Sequence, residues 1–132
     1  MTTDRDDALG WLRYAAEDLA AARAMLDVSS VVARHPAWLA QQAAEKAIKA
    51  LLVAAGRPFP KTHDLDRLAR LLPDPSAVLT LDADLSALTE YAVGSRYPGD
   101  LPDSVAPEEA RHAVEDAARV LSAAQRSLDA DA

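Results

Sequence analysis

Apolar residues along this chain recur at three- and four-residue steps and nowhere alternate strictly with polar ones, so the pattern predicts helices and no strands. The first helix is expected over residues 4–27, capped by Thr3 or Asp4, with Leu9, Leu12, Ala16, Leu19, Arg23 and Leu26 as its core-facing stripe. All of that stripe is apolar except Arg23, and Trp11 and Tyr14 lie off its middle. A second helix is expected from Pro36, which suits a first helical turn, to about Ala55. Gly56 then takes the left-handed closing position, and Pro58 and Pro60 prevent continuation. In this helix Ala44, Ile48, Leu51, Leu52 and Ala55 share one arc, while Gln42, Lys46, Lys49 and Val53 share another. Helices one and two should form an antiparallel hairpin. A short third helix, Asp64 to Leu72, starts from Thr62 as cap and ends at Pro73-Asp74-Pro75. A fourth begins at Leu81 or Asp82 and carries Leu81, Leu85, Leu88 and Ala92 to a stop near Gly94; a loop rich in Pro and Gly follows. The last helix starts at Pro107, and its Ala110, Val114, Ala117, Leu121, Ala124 and Leu128 make a seam of alternating four- and three-residue steps. The expected fold is all-α, an up-and-down four-helix bundle with one additional short helix, forming a single domain over residues 1–132.

Composition sharpens this picture. Half of the 132 residues are hydrophobic but only 5% are aromatic, so the core must come from Ala, Leu and Val, which suits closely packed helices better than a sandwich. A net charge of −7 argues against wrapping long nucleic acid non-specifically, because that affinity comes from clustered Lys and Arg releasing phosphate counterions. A small, focused basic site stays open. There is no cysteine, hence no disulfide framework. The N-terminus lacks the basic-then-apolar shape of a signal peptide, and no apolar run approaches the ~18 to 20 residues that span a membrane. The expected compartment is the cytoplasm, with no membrane association. His35, His63 and His112 have no ligand-like spacing, so neither a metal nor a cofactor is expected.

The residues that could carry chemistry are few. On the second helix Gln41 projects into the apolar arc and Glu45 onto its edge, so two polar groups point where a bundle helix would carry Leu or Ala, and they need partners. Gln42 and Lys49 flank them. Arg96 and Tyr97 lie in the late loop, and if the second and fourth helices are neighbours, Arg96 could reach Glu45 in a charge-assisted pair that holds the loop. Lys46 and Lys49 suit a solvated face as well as a phosphate site, and Lys46 could pair with Gln42 one turn back. His63 sits at a helix start, where its ring can bond backbone groups or a carboxylate. A lone His offers no base with an orienting partner, so a structural role is the simpler reading.

The run Gln42-Ala43-Ala44-Glu45-Lys46-Ala47-Ile48-Lys49-Ala50-Leu51-Leu52, followed by Lys61-Thr62-His63-Asp64-Leu65 and then by Tyr91 and Arg96-Tyr97-Pro98, resembles a HEPN domain in order and spacing. The resemblance covers nearly the whole chain. It implies a helical bundle, commonly a homodimer, often encoded with a small nucleotidyltransferase; many relatives are metal-independent endoribonucleases in toxin or defence systems. Nuclease members carry an Arg followed four to six residues later by His. Arg96 matches the Arg, but that window holds Asp100 to Pro102, or Asp103 at most, and the next His is His112 in the last helix. The Arg-Tyr-Pro form is similar to the non-nuclease branch. The resemblance therefore implies a binding and interaction module, homodimeric, using Gln42, Glu45, Lys49, Arg96 and Tyr97 for a nucleotide or for a partner nucleotidyltransferase chain in a toxin–antitoxin-like pair. The alternative is a metal-independent endoribonuclease acting on an RNA ligand, with Arg96 and His63 as the catalytic candidates. A bundle this slender would leave Trp11, Trp38 and Tyr97 with limited cover in a monomer, which independently favours a dimer.

Overall fold

The structure, a computed structural model, describes residues 3–94 and 105–130. These form six helices and no strand: α1 (Asp4–Leu26), α2 (Arg34–Ala54), α3 (Leu65–Arg70), α4 (Ser76–Leu79), α5 (Leu85–Gly94) and α6 (Pro107–Ala130). The expected bundle is present, with the single turn of α4 added where Pro73-Asp74-Pro75 were expected to leave only a break. Val78 explains the extra turn, because this short stretch between α3 and α5 buries the Val78 side chain in the core.

Helix α2 is the centre, packed by α1, α3, α5 and α6. It can be enclosed on so many sides because Ala37, Ala40, Ala43, Ala44, Ala47 and Ala50 are all fully buried, and methyl-sized side chains let neighbouring backbones come close. Ile48 and Leu52 fill the wider gaps. Contacts along the chain fix the directions. Asp18 meets Lys46 while Trp11 meets Phe59, so α1 and α2 run antiparallel. Arg5 donates to the Leu128 carbonyl while Arg111 pairs with Asp27, so α1 and α6 do the same. Tyr91 meets Glu109 while Asp84 meets Asp116, so α5 runs against α6. The topology is up-down-up-down.

Local chemistry sets the helix ends. Thr3 and Asp6 form a reciprocal capping box at the start of α1. Gly56 has φ +67°, its N–H donates to the Val53 carbonyl, and the Arg57 N–H donates to that of Leu52; the pair of bonds closes α2 as a Schellman motif. Asp64, not Thr62, caps α3: its carboxylate accepts from the Arg67 N–H, while the Thr62 hydroxyl accepts from the Asp64 N–H. α5 starts at Leu85 because Asp84 accepts from the Ala87 N–H, which leaves Leu81 outside the helix and half-buried. α2 begins two residues before Pro36, which still lies in its first turn.

The α6 seam is buried as expected from Ala110 to Leu128. The α1 stripe needs correction. Leu9 is 44% exposed and Arg23 is exposed; the line that faces the core is Ala8, Leu12, Ala15, Leu19 and Ala22. The buried set follows the same alternating four- and three-residue steps as α6, so small residues placed by packing displaced the larger Leu9 that hydropathy had favoured.

Candidate functional site

Two polar residues of α2 are buried, Gln41 fully and Glu45 at 5% exposure, and their partners define the site. Consecutive turns of α2 stack Gln41, Glu45 and Lys49 on one line, as four-residue spacing requires. Gln41 Nε2 donates to Glu45 Oε1 at 3.0 Å and to the His63 carbonyl at 3.3 Å, and Gln42 Nε2 donates to Gln41 Oε1 at 2.6 Å. Lys49 Nζ donates to Glu45 Oε2 at 2.9 Å. The Schellman turn at Gly56 reverses the chain so that the segment before α3 returns along α2, which sets His63 Nδ1 at 2.7 Å from Glu45 Oε1. An ionised carboxylate only accepts, so Nδ1 carries the proton in this bond. Among the described residues no buried side-chain polar atom lacks a partner.

Burial, the largest influence on Glu45, pushes its carboxyl up. The hydrogen bonds from Gln41, His63 and Lys49, together with the Lys49 charge, outweigh it and hold the group below its ordinary value. Glu45 is therefore a buried anion that stays charged.

Lys49 was expected on a solvated face or as a phosphate contact. Its side chain is only 14% exposed, and besides Glu45 it faces two aromatic rings, with Nζ 5.8 Å from the Trp11 centroid and 5.3 Å from that of Phe59. Those rings meet edge to face at 6.3 Å and 84°. Lys46 does not pair with Gln42; it forms a salt bridge to Asp18 of α1. The i,i+4 spacing of Glu45 and Lys49 was visible in the sequence, but nothing local pointed to Trp11 and Phe59, which lie 38 and 10 positions away.

His63 belongs to the site through its carboxylate partner, with a side chain 38% exposed. Gln42 is half-buried beside Gln41. Arg96 and Tyr97 lie outside the described residues, and so does the expected Glu45–Arg96 pair. α2 and α5 are neighbours, as that pair required.

A concavity of roughly 520 Å³ lies elsewhere, between α5 and α6, and is lined by Asp82, Asp84, Tyr91, Glu109, His112 and Asp116, among others. Burial pushes the Tyr91 phenol up to about 12, helped by the charge of Glu109, which accepts from the hydroxyl at 3.3 Å, and by Glu90 and Asp84. Among the described residues no group of three or more His, Asp or Glu could hold a metal ion, and no helix is long and apolar enough to cross a membrane.

Comparison with known proteins places the fold. The crystal structure of TT1696 from Thermus thermophilus is similar, with a TM-score of 0.74 and 26% identity over 90% of this chain and 96% of that one. ST0689, an archaeal HEPN homologue, has a TM-score of 0.70 and 25% identity over 97% of this chain and 99% of its own. No curated protein matches the chain. The model of the HEPN domain matches residues 8–127, which takes in most of α1, the Glu45 network, α3 to α5 and most of α6. The chain belongs to the HEPN domain family.

Proposed function

We propose that this chain is a cytoplasmic, homodimeric binding module that takes a nucleotide, or a partner nucleotidyltransferase chain in a toxin–antitoxin-like pair, at the face where α2 meets the segment before α3. The observation that carries this reading is the closed network around Glu45. Every described bond of that carboxylate ties parts of the protein together: Gln41 and Lys49 within α2, and His63 from the returning segment. A carboxylate so engaged, and held charged, rigidifies a surface and does not exchange protons near neutral pH. Glu45 and Lys49 form the floor, and Gln42, Arg96 and Tyr97 are the ligand contacts in this proposal.

One observation favours the alternative, a metal-independent endoribonuclease. His63 has an orienting carboxylate at 2.7 Å, the arrangement of a general base and its partner, which the sequence had not supplied. The two readings separate in one assay: single-stranded RNA and tRNA are incubated under EDTA with wild type, Arg96→Ala and His63→Ala. No cleavage by any of the three, together with a thermal shift on adding nucleoside phosphates or co-purification with a nucleotidyltransferase, supports the binding module. Cleavage by wild type that both substitutions abolish replaces it with the nuclease, His63 being the acid–base group.

A further inference from the structure

Lys49 is surrounded by groups that select for a cation. Two aromatic rings meet edge to face with their planes nearly at right angles, a carboxylate oxygen sits at 2.9 Å, and both rings lie within the ~6 Å range over which a ring quadrupole attracts an ammonium. Three separate parts of the fold build this enclosure: Trp11 from α1, Glu45 from α2, and Phe59 from the segment after the Gly56 turn. Trp11 and Phe59 are themselves half-buried against the core, so the enclosure is held by the fold and not only by its occupant.

We propose that Trp11, Phe59 and Glu45 form an ammonium-binding site that the chain fills with its own Lys49, and that the ligand class of this site is a primary alkylammonium. The inference is independent of what the module binds. It has a consequence for the choice of ligand contacts, since an ammonium already held by a carboxylate and two rings is committed to joining α1, α2 and the post-Gly56 segment, and is withdrawn from phosphate recognition. A phosphate approaching Lys49 would also have to approach Glu45, whose charge repels it.

The test vacates the site and refills it. In a Trp38→Phe background, where Trp11 is the sole remaining tryptophan, Lys49→Ala removes the ammonium together with the methylenes that carry it, which are those of a propylammonium ion. Propylammonium chloride should raise the melting temperature of this variant and quench or shift Trp11 emission saturably. Equimolar sodium chloride and propanol should do neither, and adding Glu45→Gln should weaken the apparent affinity for propylammonium by about tenfold, as loss of a charge-assisted bond predicts. Equal effects of propylammonium and sodium chloride would overturn the proposal. If Lys49→Ala does not fold, lysine acetylation of the wild type decides. The chain has three lysines, and Lys49 should react on the order of tenfold more slowly than exposed Lys61, because its amine must first leave the enclosure. Trp11→Leu should narrow that gap. Equal rates for Lys49 and Lys61 in wild type would refute the site.

Discussion

Glu45 is the residue on which most depends, because it is a charge kept inside a helical core. Glu45→Gln preserves its shape but leaves the Lys49 ammonium, 14% exposed, without an anion, so urea unfolding should show a loss of about 1–3 kcal/mol at neutral pH. In a double-mutant cycle with Lys49→Met the two losses should not add, since each substitution removes the same bond; strict additivity would mean the pair contributes nothing. The pH dependence follows from the direction of the shift. Glu45 is held below its ordinary value in the folded state, so its contribution is complete above the unfolded carboxyl value and disappears as pH falls through the lower, folded one. Unfolding free energies measured from about pH 6 down to about pH 3 should therefore fall more steeply for wild type than for Glu45→Gln. Parallel curves would remove Glu45 from the acid response. That Gln41 and Glu45 needed partners was legible from their places on the helix, because polar groups inside an apolar arc must be satisfied. Their partners were not legible. Four-residue spacing suggests Lys49, but only the chain reversal at Gly56 makes His63 a neighbour.

Among elements, α2 is closed by a backbone conformation that L residues other than glycine disfavour. Gly56→Ala should cost about 1–2 kcal/mol for the left-handed φ. Its new Cβ would meet only Asp4 Oδ2 at 3.6 Å, an ordinary contact, so the whole loss belongs to the backbone. Gly56→Asn should recover part of it, since Asn tolerates this region better; equal stability of all three proteins in chemical denaturation would show that the turn does not hold α2. The α6 seam gives the complementary test. Ala117 is fully buried where α6 packs on α2 and α1, and Ala117→Leu should destabilise by about 1–3 kcal/mol through overpacking. Gly56 and the α6 seam could be read from the sequence because each is a local signal. The α1 stripe was misplaced by one position at Leu9 and again at Arg23, since Ala8 and Ala22 satisfy the period as well and close approach of α2 and α6 selects the smaller side chains.

For the whole molecule, the exposed apolar residues set the expectation. Tyr14 is 52% and Trp38 38% exposed, with Leu9, Val28 and Val32 similarly open. Trp11, expected among them, is instead half-buried beside Phe59. Two-fold association is the commonest way such surface is covered. Light scattering at micromolar concentration should give about twice the 14.1 kDa of the chain, and a mass equal to one chain would refute the homodimer.

What the sequence by itself determined was everything carried by period and punctuation. The spacing of apolar residues specified helices, and Thr3, Gly56 and Pro107 marked three of their ends. The scarcity of aromatics required an alanine-lined core, and the motif order from Gln42 to Pro98 pointed to the HEPN family. Tertiary structure decided which groups meet across elements. Trp11 and Phe59 enclose Lys49, Asp18 takes Lys46 from its helical neighbour, and His63 returns to Glu45. The physical reason is range. Helix periodicity and capping act over three or four residues and are written locally, whereas a buried charge chooses its partner by proximity after the chain has packed.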